Sequence, residues 1–188
     1  VGVAATPIRD VVQAAMGSRA AIGRPQSLED YAALFRTIAL PGIAADFQDD
    51  KVFALMRVAG PNPLMLTRVD SLDDRFPVTE AMYQQTLPAD SLAAAAAEGR
   101  LYLADFQILE QVQAGRIPAP KFVYAPLALF AVDRDTGDLV PVAIQCAQQP
   151  GPTNPIFTPQ DGWGWMIAKT VVESADGNVH EMVSHLGR

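Results

Sequence analysis

Histidine and cysteine are nearly missing from this chain: 188 residues hold two of the first and one of the second. The lone Cys146 excludes an internal disulfide and says little about compartment; it reads as a small buried hydrophobe in a strand. Charge is also scarce, at 19% of residues, below the quarter usual for soluble domains. What charge there is runs acidic, net −7, with no cluster of Lys and Arg. Nucleic acid, whose binding rests on neutralised phosphates, is excluded as a partner. Long apolar runs are absent too. Runs such as Leu92 to Ala97, six residues, fall far short of a membrane span. The start, Val1-Gly2-Val3, carries no basic segment followed by an apolar one, so no signal peptide is expected. Location itself is not legible; a soluble, cytoplasmic chain is the expectation, with peripheral membrane contact left open.

Hydrophobic residues, by contrast, make up 49%, enough for a real core. The low charge suggests extensive buried surface, within this chain or against further sequence. The pattern predicts a short helix over Ile8 to Met16. A second opens at Ser27, where Asp30 completes a capping box, and carries Leu28, Tyr31, Leu34, Phe35 and Ile38 at helical spacing until Pro41-Gly42. A third spans Phe47 to Val58 and is ended by Gly60-Pro61-Asn62-Pro63. Leu64 to Val69 reads as extended. Short helices follow at Thr79 to Gln85, with Thr79 a candidate N-cap, and at Asp90 to Glu98, with Asp90 as cap and Gly99 as stop. Beyond them the chain turns β-prone. Arg100 to Leu109 alternates in part, and Lys121 to Val132 and Leu139 to Cys146 flank a polar turn, as in an antiparallel hairpin. Residues 148–162, with four prolines, read as loop. Helix resumes at Trp163, breaks near Asp176-Gly177-Asn178, and runs on from Val179 to Arg188.

Both histidines fall in one hexapeptide, His180-Glu181-Met182-Val183-Ser184-His185. Neutral imidazole is a common ligand of iron, zinc and copper. In an α-helix, residues five apart lie about 140° apart around the axis and share no face. A π-bulge, with i→i+5 hydrogen bonds, brings them into near register, and such bulges gather at functional sites. The spacing therefore suggests a metal site on a distorted helix. It is not the His-Glu-x-x-His of zinc proteases, because Ser184 occupies the i+4 position. By spacing alone, two ordinary histidines on an amphipathic helix explain the pattern better.

The surrounding sequence reverses that balance. Trp165-Met166-Ile167-Ala168-Lys169, then Ser174-Ala175-Asp176, then the histidine hexapeptide and Leu186, resemble the iron-binding helix of lipoxygenases. Further upstream, Ala59-Gly60-Pro61-Asn62-Pro63 resembles that family's Gly-x-Asn-Pro turn, and Tyr102 to Leu109 its hydrophobic-x-Asp-aromatic segment. Leu139 to Gln145 is similar to its strand before the iron helix, and Pro150 to Pro159 to its proline-rich loop. The resemblance covers roughly residues 28–188, with the motifs in order.

That resemblance implies a mainly α, multi-helical catalytic domain with a small antiparallel hairpin or sheet. Residues 1–188 are then the N-terminal portion of a single catalytic domain, incomplete, in the compact bacterial form without an N-terminal β-barrel. His180 and His185 are implied to be ligands of a non-haem iron cycling between Fe2+ and Fe3+, with manganese the alternative. A third His, an Asn or His, and a terminal carboxylate are implied to lie beyond Arg188. The implied reaction is bis-allylic hydrogen abstraction from a polyunsaturated fatty acid by a ferric hydroxide, then addition of O2 to give a hydroperoxide. Phe53, Leu55 and Met56 are candidates for the substrate channel, although such spacing usually marks core. Glu181 is a candidate hydrogen-bond partner of a ligating His, outside the metal's own ligands. Lys169 and Asp176 read as a buried ion pair or cap. The alternative to the enzyme is a non-catalytic fragment that serves packing, lipid binding or a partner, since two imidazoles alone hold metal weakly.

Overall fold

A computed structural model describes residues 26–33, 35, 38–112, 114 and 122–187. The helix expected over Ile8 to Met16 lies outside them. The chain divides into two units at Asp46. In the first, helix α1 (Leu28–Ala32) opens with the capping box of Ser27 and Asp30, each side chain meeting the other's backbone N–H. It is shorter than the periodicity predicts. A 3-10 turn follows at Gly42–Ala45.

The second unit is organised on a five-stranded antiparallel sheet, built around the hairpin that the sequence marks. Its strands are β1 (Leu66–Arg68), β2 (Leu101–Asp105), β3 (Leu127–Val132), β4 (Leu139–Gln145) and β5 (Ile156–Phe157), in that spatial order. The β3–β4 hairpin stands as the sequence predicts. β5, two residues long inside a proline-rich stretch read as loop, carries too little pattern to be seen in sequence.

Helices cover both faces. On one lie α2 (Asp50–Ala59) and α5 (Trp163–Val179); on the other, α3 (Glu80–Tyr83) and α4 (Leu92–Ala97). β3 serves both cores. Ala128 and Phe130 point into the first cluster, and Leu127, Leu129 and Ala131 into the second. This is the period-2 alternation of a pleated strand, apolar on both sides. In β4 the register slips, so that Leu129 faces Ala143 while Phe130 faces Pro141. Val142 is the extra residue of a bulge, and both it and Ala143 face the second cluster. A bulge is also where a strand tolerates Pro141.

Local chemistry sets the helix ends. Asp49 caps α2, accepting from the N–H groups of Lys51 and Val52. Gly60 ends it, and must be Gly: a Cβ there would sit 2.1 Å from the Met56 carbonyl oxygen. Thr79 caps α3 as expected. The cap of α4 is Ser91, not Asp90. Asp90 accepts instead from both Arg100 Nη atoms, from Tyr83 Oη and from Ser91 N–H. Gly99, at φ +70°, takes the left-handed turn after α4.

On α5, Trp165, Ala168, Val172, Ala175 and Val179 form the apolar stripe against the sheet. The break expected at Asp176-Gly177-Asn178 is absent, and α5 runs through it. Asp176 is engaged as a buried acid rather than a turn former, and packing of Ala175 and Val179 outweighs the ~1 kcal/mol that a helical glycine costs. Cys146 is half-buried just after β4, and burial pushes its thiol pKa up. No helix among the described residues is long and apolar enough to cross a membrane.

Two outcomes are expected of the intact polypeptide. Phe130→Ala empties the space between β3 and α2 and costs about 3–5 kcal/mol, read as a lowered unfolding midpoint in urea. The Arg100 hydrogen bonds hold the Asp90 carboxyl well below the usual carboxylate range, helped by Tyr83 and Ser91 and opposed by burial. A depressed folded-state pKa contributes stability above the unfolded value, about 3.9, and loses it as pH falls from there. Asp90→Asn should therefore be less stable than wild type at pH 7, yet lose less stability below about pH 4; urea midpoints across pH check both.

Candidate metal centre

The apolar stripe of α5 ends at Val179, and the next residue begins a π-helix spanning His180–His185. Its i→i+5 pattern is the distortion that the histidine spacing calls for. Leu186 closes it, its N–H donating to the Glu181 carbonyl at 3.0 Å. The consequence is close approach of the two imidazoles. Their ring centroids lie 5.6 Å apart with planes 17° from parallel. Ligand atoms of His180, Glu181 and His185 all fall within 4.8 Å of one another.

The three groups differ in setting. His180 is half-buried, and its Nδ1 is sealed from solvent with no hydrogen-bond partner. A buried, unpaired ring nitrogen is costly unless something else satisfies it. His185 and Glu181 are exposed, with Glu181 Oε2 3.7 Å from His185 Nδ1. That is beyond a hydrogen bond and within reach of one after a small rotation. An orphaned imidazole nitrogen beside a second imidazole and a carboxylate is a donor set suited to a divalent first-row metal. The residues present therefore fit such an ion.

Behind the π-helix lies a buried polar chain. Arg57 of α2 and Asp176 of α5 are an ion pair at 3.4 Å, their side chains 2% and 5% exposed. Arg57 Nη2 also donates to Glu173 Oε2 at 2.7 Å. Burial pushes the Asp176 carboxyl up from its ordinary value, while Arg57, a hydrogen bond from Asn62 and nearby His180 pull it down. Lys169 pairs not with Asp176 but with Asp50 Oδ1 at 2.7 Å, which also accepts from Trp165 Nε1 at 2.9 Å. Lys169 and Asp176 thus belong to two separate links between α5 and the start and end of α2.

The proposed channel residues part company. Phe53 is core: its ring stacks on Phe130 at 5.7 Å, with the Arg57 guanidinium 5.2 Å from its centroid. Leu55 lies on another face of α2, 56% exposed, and Met56 is half-buried. Arg57 and Asn62 were not legible as site residues. Arg57 looks like a surface residue until its position on the Phe53 face is noticed, and Asn62 reads as a turn former.

The model of the lipoxygenase family matches residues 43–188. This chain belongs to that family. The linoleate 9/13-lipoxygenase of Pseudomonas aeruginosa is 42% identical over 96% of this chain and 28% of its own length. The mouse polyunsaturated fatty acid lipoxygenase ALOX8 is 40% identical over 86% of this chain and 25% of its own. Among solved structures, a calcium-dependent 11R-lipoxygenase superposes with a TM-score of 0.80 at 33% identity, covering 87% of this chain and 25% of that one. The manganese lipoxygenase of Gaeumannomyces graminis, at 23% identity and a TM-score of 0.70, covers 87% and 30% and shares the fold. This lipoxygenase chain thus spans under a third of the relatives it matches, and has a lipoxygenase-like fold with a small antiparallel sheet.

Arg57→Met strands Asp176 in the core without a counter-charge and should cost about 3–5 kcal/mol. Arg57→Met combined with Asp176→Leu should recover most of that loss. Urea unfolding measures both, and equal destabilisation by single and double variants would remove the argument.

Proposed function

We propose that this chain is the N-terminal portion of a single lipoxygenase catalytic domain, and that His180 and His185 are two ligands of its metal, iron first and manganese as the alternative. The observation that carries the reading is the pair of stacked imidazoles on the π-helix, one with an orphaned buried nitrogen, in a chain of this family. A non-haem iron held there would supply the one-electron oxidant for removing a bis-allylic hydrogen atom from a polyunsaturated fatty acid, and O2 would add to the carbon radical left behind.

The chain's own residues prepare that site. α5 brings His180 to the edge of the core, and the π-turn rotates His185 back beside it. Imidazole nitrogen is a ligand type that suits iron. Glu181 is placed to take the His185 Nδ1 proton in a hydrogen bond and fix that ring's tautomer. Leu55 and Met56, away from the Phe53 core face, are among the apolar residues of α2 that an acyl chain can reach. The remaining ligands must come from sequence outside this chain. The relatives' acting on linoleate and other polyunsaturated fatty acids supports that substrate class. Were no such sequence to join it, the same fold would serve as a packing or binding piece.

Full-length enzyme containing this chain is expected to form conjugated diene from linoleate under air and none under argon. His180→Ala and His185→Ala should each lower both bound metal and diene formation by at least roughly tenfold. Full activity with either histidine removed would sink the ligand assignment, and no diene from the wild type would sink the reaction.

A further inference from the structure

Ser184 stands where a zinc-protease helix would carry its second histidine, and metal ligation leaves it without a task. In the structure its hydroxyl donates to Asn62 Oδ1 at 2.9 Å. Asn62 is buried, 5% exposed, in the Gly-Pro-Asn-Pro turn that closes α2. Its Nδ2 donates to Asp176 Oδ1 at 3.3 Å. The amide can be read in one sense only. Asp176 faces the Arg57 guanidinium, so its oxygens accept, and the Asn62 oxygen is left for a hydroxyl donor. One buried amide therefore grips the last turns of α5 at Asp176 and the π-helix at Ser184.

This matters because the π-turn is the part of the helix with a competitor. If it relaxed to α register, the two imidazoles would swing to about 140° apart and could not share an ion. Backbone hydrogen bonding alone favours α over π. A side-chain bond that only the π register satisfies tips the balance. Ser184 in an α-turn would rotate away from Asn62 and leave a buried carbonyl oxygen unpaired, which is costly.

We propose that Asn62 is a positioning residue: by bridging Asp176 and Ser184 it locks the π register that sets His180 beside His185. The inference rests on reading those histidines as metal ligands, but the lock itself exists with or without metal. Asn62 touches no reacting atom; it acts through Ser184 and the backbone that carries the rings.

The test uses full-length lipoxygenase containing this chain, as wild type, Ser184→Ala and Ser184→Thr. One arm follows backbone amide exchange in the metal-stripped protein, comparing residues 180–186 with strands β3 and β4. The other follows the rate at which a chelator removes iron from the loaded protein. Ser184→Ala is expected to speed exchange over residues 180–186 about fivefold, the worth of one hydrogen bond, with β3 and β4 unchanged. Its iron should leave roughly tenfold faster, and Ser184→Thr, which keeps the hydroxyl, should restore wild-type values in both arms. Wild-type exchange over residues 180–186 in Ser184→Ala overturns the proposal. So does equal acceleration in β3 and β4, which would mark a general loss of stability. A wild type that takes up no iron overturns the metal reading instead, and the exchange arm alone then decides the lock.

Discussion

A guanidinium withdrawn from water must find its charge inside the fold, and Arg57 finds it in Asp176. This pair fixes much else. It joins the end of α2 to the end of α5, the two helices that cover one face of the sheet. It lays a cation against the Phe53 ring, which in turn stacks on Phe130 of the central strand. It holds Asp176 as an acceptor, which orients Asn62. The desolvation cost of such a pair is high, so its value lies less in net stability than in allowing one arrangement of the two helices. Apolar contacts alone would tolerate sliding of α5 along the sheet; a buried charge opposite one partner does not.

The second anchor acts at the other end of α2. Asp50 receives both the Lys169 ammonium and the Trp165 indole N–H. α5 is therefore held to α2 at two points along its length, and its axis is defined as well as its register. The histidines follow directly on that axis. Their placement is a result of long-range packing, although they are neighbours in sequence.

Much of this was legible before any coordinates. Caps at Ser27 and Thr79, the stops at Gly60 and Gly99, the β3–β4 hairpin and the helix from Trp163 are local signals, each satisfied within a few residues. The five-residue spacing of the histidines suggested a π-turn, but only the motifs around it favoured that reading over two ordinary histidines on a regular helix. What stayed hidden was non-local. Asp90 has every attribute of a cap, and Arg100 claims it from the start of β2. Asp176-Gly177-Asn178 reads as a break because the Arg57 that buries Asp176 is more than a hundred residues away. Phe53, Leu55 and Met56 fall on different faces of one helix, which spacing alone reveals only once the buried face is known. Asn62 signalled a turn truthfully, and nothing in its neighbourhood reveals a second use for its amide.

The π-turn can also be viewed as one residue more than an α-turn needs. Removing any single position between His180 and His185 would bring the pair to the i, i+4 spacing that an undistorted helix aligns. The imidazoles would still share a face, so the extra residue is not what makes a two-histidine site possible. The wider turn absorbs that residue, so the second ring stands over the first as an i+4 partner would in an α-helix. What changes is the position before it. An α-turn would seat residue 184 where the ring now stands; the π-turn moves it aside, to where its hydroxyl meets Asn62. One added residue gives this stretch of helix a free polar position beside the metal-facing one without moving the ring.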